Sequence, residues 1–321
     1  MAIPATLKGN LRLPLIGAPM FIVSRPELVI AQCTSGIIGS FPALNARPQS
    51  ALDDWIFQIK DALAQYREQN PDDPVAPFAV NQIVHASNSR LYADMKTCVR
   101  HEVPIVITSL RPPGEVVQAV HAYGGLVFHD VISLRHAQKA MQQGVDGIIA
   151  VCAGAGGHAG LLSPFALLKE IRREFDGVLI LSGCMSSGAD ILAAQALGAD
   201  LAYMGTRFIA TEEAHAVAEY KQMVVDSKAA DIVYSSFFSG VAGNYLKGSV
   251  AKAGFDPDQL PEGDLSSMDF SKRDANEIKA WRDIWSAGQG SGGVDAVLPT
   301  AKLVMRMQQE YQRARKDLCA G

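Results

Sequence analysis

Short hydrophobic runs alternate with longer amphipathic segments over the first two thirds of the chain, and this alternation limits the folds open to it. Eight of the short runs are predicted to be strands, near residues 13–18, 36–40, 78–80, 104–108, 126–129, 147–151, 178–182 and 201–204. The segments between them have apolar residues at helical spacing, and two of them end before Gly144 and Gly198, where a helix C-cap is expected. Strands separated by helices are parallel, because a tight hairpin joins only antiparallel strands.

The number of strand–helix units favours the α/β class and, within it, a (β/α)₈ TIM barrel. Eight units fit within the roughly 200 to 250 residues that this fold normally takes. The alternative, a doubly wound open sheet, would place a G-x-G-x-x-G motif after its first strand. That strand ends here in Gly17-Ala18-Pro19-Met20, where Pro19 lacks a backbone donor, and the glycine-rich run at 154–157 comes far too late in the chain.

After Arg207 the regular alternation stops. Helices are predicted over 212–227 and 275–285, and residues 254–274 between them are rich in Pro, Gly, Asp and Ser. A final helix near 299–316 is expected to close the barrel as its eighth helix. We therefore predict a barrel formed by residues 1–214 and 290–321. A smaller, mostly helical insertion after strand eight, at 215–289, is expected to cover the C-terminal mouth, where the active sites of this fold lie.

Composition and charge argue against several classes of function. The 321 residues are 48% hydrophobic and carry a net charge of −4 without a basic stripe, so we expect no nucleic-acid partner. No apolar run is long enough to span a bilayer and residues 1–10 lack the pattern of a secretory signal, so we expect no membrane association and a cytoplasmic location. The scattered cysteines have no metal-ligand spacing, which predicts reduced thiols and no metal site.

Three glycine-containing corners each follow a predicted strand, at 154–160, 182–184 and 204–207. In TIM-barrel enzymes a phosphate group often binds at the loops after strands seven and eight. Those loops are residues 182–188 and Gly205-Thr206 here, and because they hold backbone N–H groups and hydroxyls we expect an anion to bind there. The alternative is that the two glycines only form tight turns.

His158 is the one titratable side chain in the first glycine corner, and we predict that it contacts a ligand or takes part in catalysis. A neutral imidazole can remove a proton from an acidic carbon or donate a hydrogen bond to an anionic oxygen. The alternative is a histidine that bonds only to local backbone. Asn81 follows the third strand, so its amide is expected to point into the mouth. For Arg207, phosphate contact and an ion pair within the fold are both open.

These elements resemble the nitronate monooxygenase family, formerly called 2-nitropropane dioxygenases. The resemblance is carried, in order, by residues 14–20, Asn81, Ala155-Gly156-Gly157-His158, Ser182-Gly183, Met204-Gly205-Thr206-Arg207-Phe208 and residues 284–289. It covers most of the chain and implies a TIM barrel that binds FMN. It also implies a set of flavin-binding residues, namely Ala18, Pro19, Met20, Asn81, Gly157, Ser182, Gly183, Gly205, Thr206 and Gln289.

The same resemblance implies the reaction. Members of the family oxidise alkyl nitronates with O₂ to a carbonyl compound and nitrite, and His158 matches their catalytic base. The implied partners are therefore a nitronate or nitroalkane and O₂, and a homodimer is one option for the oligomeric state. The alternative on the same fold is an FMN-dependent NAD(P)H reductase of a quinone or an enoyl thioester.

The chain departs from the family pattern at four places. Many members have glutamate at the position of Gly154 and Gly-Gly at the position of Ala18-Pro19, some relatives have lysine where Asp130 stands, and glycine is common where this chain has Cys184.

Overall fold

The computed structural model describes residues 3–4, 7–263 and 283–320, and eight parallel strands form a nearly closed barrel in it. Eleven strands are present among the described residues: β1 (Leu15–Gly17), β2 (Gly39–Pro42), β3 (Phe78–Val84), β4 (Ile105–Leu110), β5 (Leu126–Val131), β6 (Gly147–Val151), β7 (Gly157–His158), β8 (Val178–Ser182), β9 (Leu201–Met204), β10 (Ile232–Ser235) and β11 (Gly243–Leu246). The barrel order is β1-β9-β8-β6-β5-β4-β3-β2. The predicted α/β class and TIM barrel are confirmed.

Helices connect the barrel strands as predicted. The described helices are α1 (Pro26–Thr34), α2 (Ala51–Gln69), α3 (Leu91–Arg100), α4 (Gly114–His121), α5 (Leu134–Met141), α6 (Pro164–Arg172), α7 (Gly188–Ala196), α8 (Thr206–Ile209), α9 (Ala218–Asp226), α10 (Lys247–Lys252) and α11 (Thr300–Cys319). The sheet closes between β1 and β2, where Ile16 pairs with Ile38 in a parallel bridge. The Gly17 N–H donates to the Ile38 carbonyl at 2.8 Å across this seam.

Alternation along the strands separates two hydrophobic layers. One set of side chains, which includes Val80, Val127 and Leu179, packs with helix residues in one cluster and therefore faces outward. The other set packs together inside the barrel: Ile16, Ile38, Ala79, Ile105, Ile107, Phe128, Ile149, Ile180 and Leu201. This interior layer turns polar towards the C-terminal ends of the strands, which is where the site is built.

The sequence placed the end of β3 too early. The predicted strand stops at Val80, whereas β3 continues to Val84 through two buried polar residues. Asn81 faces the interior, and the Gln82 amide donates to Cys98 Sγ at 3.4 Å on the outer side. Both polar side chains find partners, so the strand continues where a loop seemed more natural.

The segment after β9 contains a sheet that the sequence did not predict. Antiparallel β10 and β11 form a hairpin, and β11 pairs with β7, where Gly243 lies opposite His158. The predicted helix at 212–227 is shorter and begins at Ala218, because residues 215 and 216 bond to Val23 and Ala214 instead. Most of the helix predicted at 275–285, residues 275–282, lies outside the described residues. The remaining residues, 283–285, are described and are not helical. The final helix, α11, packs against α1 and α7.

Candidate active site

The three glycine corners meet at the C-terminal mouth of the barrel. They line one narrow cavity, to which residues 154–156, 182–185 and 203–206 contribute together with Gly288 and Gly290. Four of the predicted anion-binding residues are thereby brought together: Ser182, Gly183, Gly205 and Thr206. The other predicted site residues lie outside this cavity: Ala18, Pro19, Met20, Asn81, Gly157, His158 and Gln289.

Close backbone packing explains why glycine stands at these corners. A Cβ on Gly156 would lie 2.9 Å from the Gly288 nitrogen and 3.1 Å from Thr206 Oγ1. Gly154 has φ +76° and faces the Cys184 side chain. Cys184 itself has φ +55°, a backbone conformation that favours glycine. The corners therefore pack main chain closely against main chain and neighbouring side chains.

The main chain of this cavity fits an anion such as a ribityl phosphate. The N–H groups of Gly183 and Gly205 donate to no main-chain carbonyl outside the regular elements in the described part of the chain. By contrast, the N–H groups of Ser186 and Ser187 at the start of α7 both donate to Asp190 at 2.9 Å, so that helix end is already neutralised. An anion is thus directed to the glycine corners rather than to the first turn of α7.

Arg207 forms an ion pair within the fold, which is one of the two roles that the sequence left open; the other was contact with phosphate. Its side chain is buried and points away from the cavity, donating to the Ala296 carbonyl at 3.3 Å. Its guanidinium also lies 3.6 Å from Asp295. The structure therefore assigns Arg207 to an ion pair within the fold.

The turn at 18–24 lies beside Gly205. A Cβ on Gly205 would stand 3.5 Å from both Ala18 Cβ and Met20 Sδ, which is ordinary contact distance, so the two loops face each other. Asn45, which the sequence analysis did not single out, holds this turn. Its amide donates to the carbonyls of Met20 and Ser24 at 3.0 and 2.8 Å and accepts from the Ile22 N–H at 2.9 Å.

His158 lies on β7 and is held by the unpredicted sheet. Its Nε2 is 3.0 Å from Ser239 Oγ, and the Ser239 hydroxyl donates to the Val241 carbonyl at 2.9 Å. Because that hydroxyl proton is committed, Ser239 accepts a hydrogen bond from the imidazole N–H. Burial lowers the pKa of His158 to about 4, so the ring is neutral at ordinary pH.

Two more residues from the segment after β9 fix the His158 strand, and the sequence analysis missed both. Ser286 Oγ accepts from the Gly157 N–H at 2.7 Å and donates to the Asn244 carbonyl at 2.9 Å. The Asn244 amide donates to the Ala155 carbonyl at 2.7 Å. Next to them the Gln289 N–H donates to the Gly154 carbonyl at 2.8 Å, which places Gln289 at the edge of the same corner.

A polar chain crosses the mouth on the opposite side of the barrel. The Asn81 amide donates to Ser109 Oγ at 2.9 Å, and Ser109 donates to Asp130 Oδ2 at 2.6 Å. Burial raises the pKa of Asp130 to about 6. Its Oδ1 is buried and has no hydrogen-bond partner among the described residues.

No helix in residues 3–4, 7–263 and 283–320 is long and apolar enough to cross a bilayer. No cluster of three or more His, Cys, Asp or Glu in the same ranges has the arrangement of a metal site.

The fold and this mouth define a TIM-barrel enzyme with a glycine-lined cavity and, beside it, a half-buried histidine whose pKa burial lowers to about 4. The sequence profile of the nitronate monooxygenase family matches residues 7–310. The chain therefore belongs to the nitronate monooxygenase family and is a flavin-dependent oxidoreductase.

Individual relatives agree with this assignment. The chain is 27% identical to a nitronate monooxygenase from Paraburkholderia phytofirmans, over 95% of this chain and 94% of that protein. It is 26% identical to a (3aS,4S,5R,7aS)-5-hydroxy-7a-methyl-1-oxo-octahydro-1H-indene-4-carboxyl-CoA dehydrogenase from Rhodococcus jostii, over 65% of this chain and 58% of that one. The solved structure of nitroalkane oxidase from Streptomyces ansochromogenes superposes with a TM-score of 0.75 at 21% identity, covering 98% and 100% of the two chains, which supports the shared fold.

Proposed function

We propose that this protein oxidises alkyl nitronates with O₂ to a carbonyl compound and nitrite, with FMN as its flavin and His158 as the residue that acts on the substrate. The observation that carries the proposal is the placement of His158. It is half-buried, its pKa is lowered to about 4 so that the ring is neutral, and it lies two residues beyond Gly156, which lines the anion cavity. The family membership of the chain and its 27% identity to a nitronate monooxygenase along nearly its whole length support the same reaction.

The anion cavity supports FMN as the flavin, because the phosphate group of FMN would bind there. Gly183 and Gly205 would hold the phosphate through their N–H groups, with hydroxyls from Ser182 and Thr206. The remaining predicted residues would contact the ring system: Ala18, Pro19, Met20, Asn81, Gly157 and Gln289. When bound, the flavin supplies the electron acceptance that no protein side chain offers.

His158 has two tasks open to it, and its environment bears on both. A neutral imidazole can remove the proton from the acidic carbon of a nitroalkane. A nitronate anion would raise the pKa of the ring from its low starting point, and the ring protonated at Nδ1 could then donate a hydrogen bond to a nitronate oxygen. Ser239 orients the ring in either case, because its oxygen accepts from Nε2.

We also propose that the described part of the segment at 215–289, residues 215–263 and 283–289, covers the mouth and restricts access to it. Three contacts support this part of the proposal. Ser239 holds the His158 ring, Asn244 holds the Ala155 carbonyl, and β11 extends the sheet that contains His158.

The replacement His158→Ala tests the proposal. We expect kcat/KM for a neutral nitroalkane to fall by about 10²- to 10⁴-fold, the usual contribution of a positioned acid–base group. The flavin released on denaturation should be FMN, at an unchanged ratio to protein. His136→Ala, on the exposed face of α5, is the matched control and should retain activity. Unchanged nitroalkane turnover in His158→Ala would overturn the role of His158, and a colourless protein would overturn the flavin site.

A second function is favoured by one relative, the CoA-thioester dehydrogenase from Rhodococcus jostii. On this reading the protein would be a reductase of a quinone or an enoyl thioester, and a bound flavin would supply hydride transfer from NAD(P)H. Anaerobic mixing of the purified protein with NADH and NADPH separates the two functions. We expect slow or absent bleaching of the yellow colour. Rapid bleaching, followed by recovery of the colour on adding a quinone or an enoyl thioester, would favour the reductase.

A further inference from the structure

The interior of the barrel ends in a layer of side chains that lies directly beneath the mouth. Asn81, Ser109 and Asp130 each stand two residues beyond an interior apolar residue on three neighbouring strands, β3, β4 and β5. Because alternate residues of a strand face the same side, all three point inward. They form the floor of the flavin site on the side opposite the anion cavity.

The hydrogen bonds of this floor have a fixed direction. The Asn81 amide lies 3.3 Å from the Ile107 carbonyl, which can only accept, so Nδ2 is the atom on that side. Nδ2 also donates to Ser109 Oγ, and the Ser109 hydroxyl in turn donates its hydrogen bond to Asp130 Oδ2. The side-chain oxygen of Asn81, Oδ1, is then the atom that can accept a hydrogen bond from a ligand.

Asp130 is the unusual member of the floor. One of its oxygens is buried without a partner. Its neighbours are Ser109 from β4, Ile149, with which it pairs on β6, and Tyr203 from β9, which also lines the anion cavity. None of these three carries a positive charge, and His129 on the same strand is turned to Thr108 at 2.8 Å. A buried, unpaired carboxylate oxygen is costly, and a proton on it removes that cost.

We propose that the Asp130 carboxyl group takes up one proton from solvent when the flavin binds, and then donates a hydrogen bond from Oδ1 to an acceptor on the pyrimidine edge of the ring. The inference rests on the flavin site of the proposed function. A planar ring over the mouth removes the remaining water from the carboxyl group, which disfavours its charged form. The raised pKa of Asp130, about 6 before the ring covers it, puts this proton uptake in the neutral range.

Proton uptake on binding of FMN to the apoprotein is the direct test. It is measured calorimetrically between pH 6 and 8, in buffers that differ in ionisation enthalpy. We expect the wild type to take up more protons per FMN than Asp130→Asn, with an excess of up to about one proton. The difference between the proteins isolates Asp130, because the titration of the FMN phosphate is common to both. Asp54→Asn, at an exposed position on α2, should match the wild type.

Ser109→Ala gives an independent check. The hydrogen bond from Ser109 lowers the pKa of Asp130, so its loss should move the pH range of excess proton uptake upward. Equal proton uptake by wild type and Asp130→Asn, with FMN bound tightly by both, would overturn the inference and leave the flavin site intact. Failure of wild type and Asp54→Asn to bind FMN would instead overturn the proposed function.

Discussion

Gly156 shows how strongly a single position in the mouth is constrained. Its neighbours are the Gly288 nitrogen and the Thr206 hydroxyl, and Thr206 in turn accepts from the Gly288 N–H at 2.8 Å. Backbone cannot move aside as a flexible side chain can. A methyl group at residue 156 would therefore separate the glycine corner from the segment at 287–290, and with it one wall of the anion cavity.

Gly156→Ala should weaken FMN binding and destabilise the protein by more than about 1 kcal/mol, because the added methyl group meets main chain. The measurements are the FMN dissociation constant of the apoprotein and its urea unfolding. Gly292→Ala is the control, since a Cβ there has its nearest neighbour at 3.7 Å. Equal FMN affinities in the two variants would contradict the assignment of this wall to the flavin site.

The pH dependence of His158 gives a second prediction at this scale. With a pKa of about 4, the imidazole stays neutral as pH falls from 7 to 5, so the rate with a neutral nitroalkane should not decline through this residue. Below about pH 4 the rate should fall about tenfold per pH unit, with circular dichroism at each pH to exclude unfolding. If the rate instead fell with a midpoint near the usual histidine pKa of about 6.5, the lowered pKa of His158 would be contradicted.

A site residue can be predicted from the sequence when the residues it contacts are close to it in the chain, and not when they are far away. The glycine corners and His158 stand out because each directly follows a hydrophobic strand. Ser239 and Ser286 do not stand out, because they meet their partners across 81 and 129 residues. Nothing local marks either serine, and only the folded chain brings them to the β7 strand.

Among the secondary-structure elements, those of the barrel could be predicted from the local sequence, whereas the strands of the segment after β9 could not. The barrel strands are continuous buried runs and were located with small errors at their ends. Strands β10 and β11 are four residues each and are interrupted by polar and aromatic residues, so period and length did not reveal them. Their pairing with the two-residue β7 is what turns a glycine-rich corner into a defined strand.

Ser286→Ala tests the importance of that pairing. The replacement leaves the Gly157 N–H without its partner at 2.7 Å, which should cost about 1 to 3 kcal/mol and loosen the strand that carries His158. We expect a lower melting temperature and a lower kcat for nitronate. Ser50→Ala, which removes an exposed hydroxyl that caps no helix, is the control. A Ser286→Ala enzyme with wild-type kcat would show that β7 is held adequately without this bond.

For the molecule as a whole, Asp130 links the floor of the site to global stability. Its folded pKa, about 6, exceeds the unfolded value of 3.8, so its contribution to stability is complete below about pH 4 and is lost as pH rises through 6. The shift of about two pKa units corresponds to ~3 kcal/mol. The Asp130→Asn variant has no ionisable carboxyl group at this position, so its stability should not fall for this reason as pH rises.

The unfolding free energy of Asp130→Asn apoprotein, relative to wild type, should therefore rise by up to ~3 kcal/mol between pH 4 and pH 7. Urea unfolding at half-unit steps of pH measures the difference. Two curves that run parallel across this range would show that the carboxyl group ionises as readily in the folded chain as in the unfolded one.

Elements far apart in the sequence meet on one side of the barrel. β1 pairs with β9, and α11 lies across α1 and α7, where Glu310 accepts from the Gly188 N–H at 2.9 Å and Tyr311 donates to Gln195 at 2.7 Å. A ribosome synthesises β1 and α1 long before α11. The faces of α1 and α7 that α11 covers therefore stay exposed on the growing chain until α11 has been made.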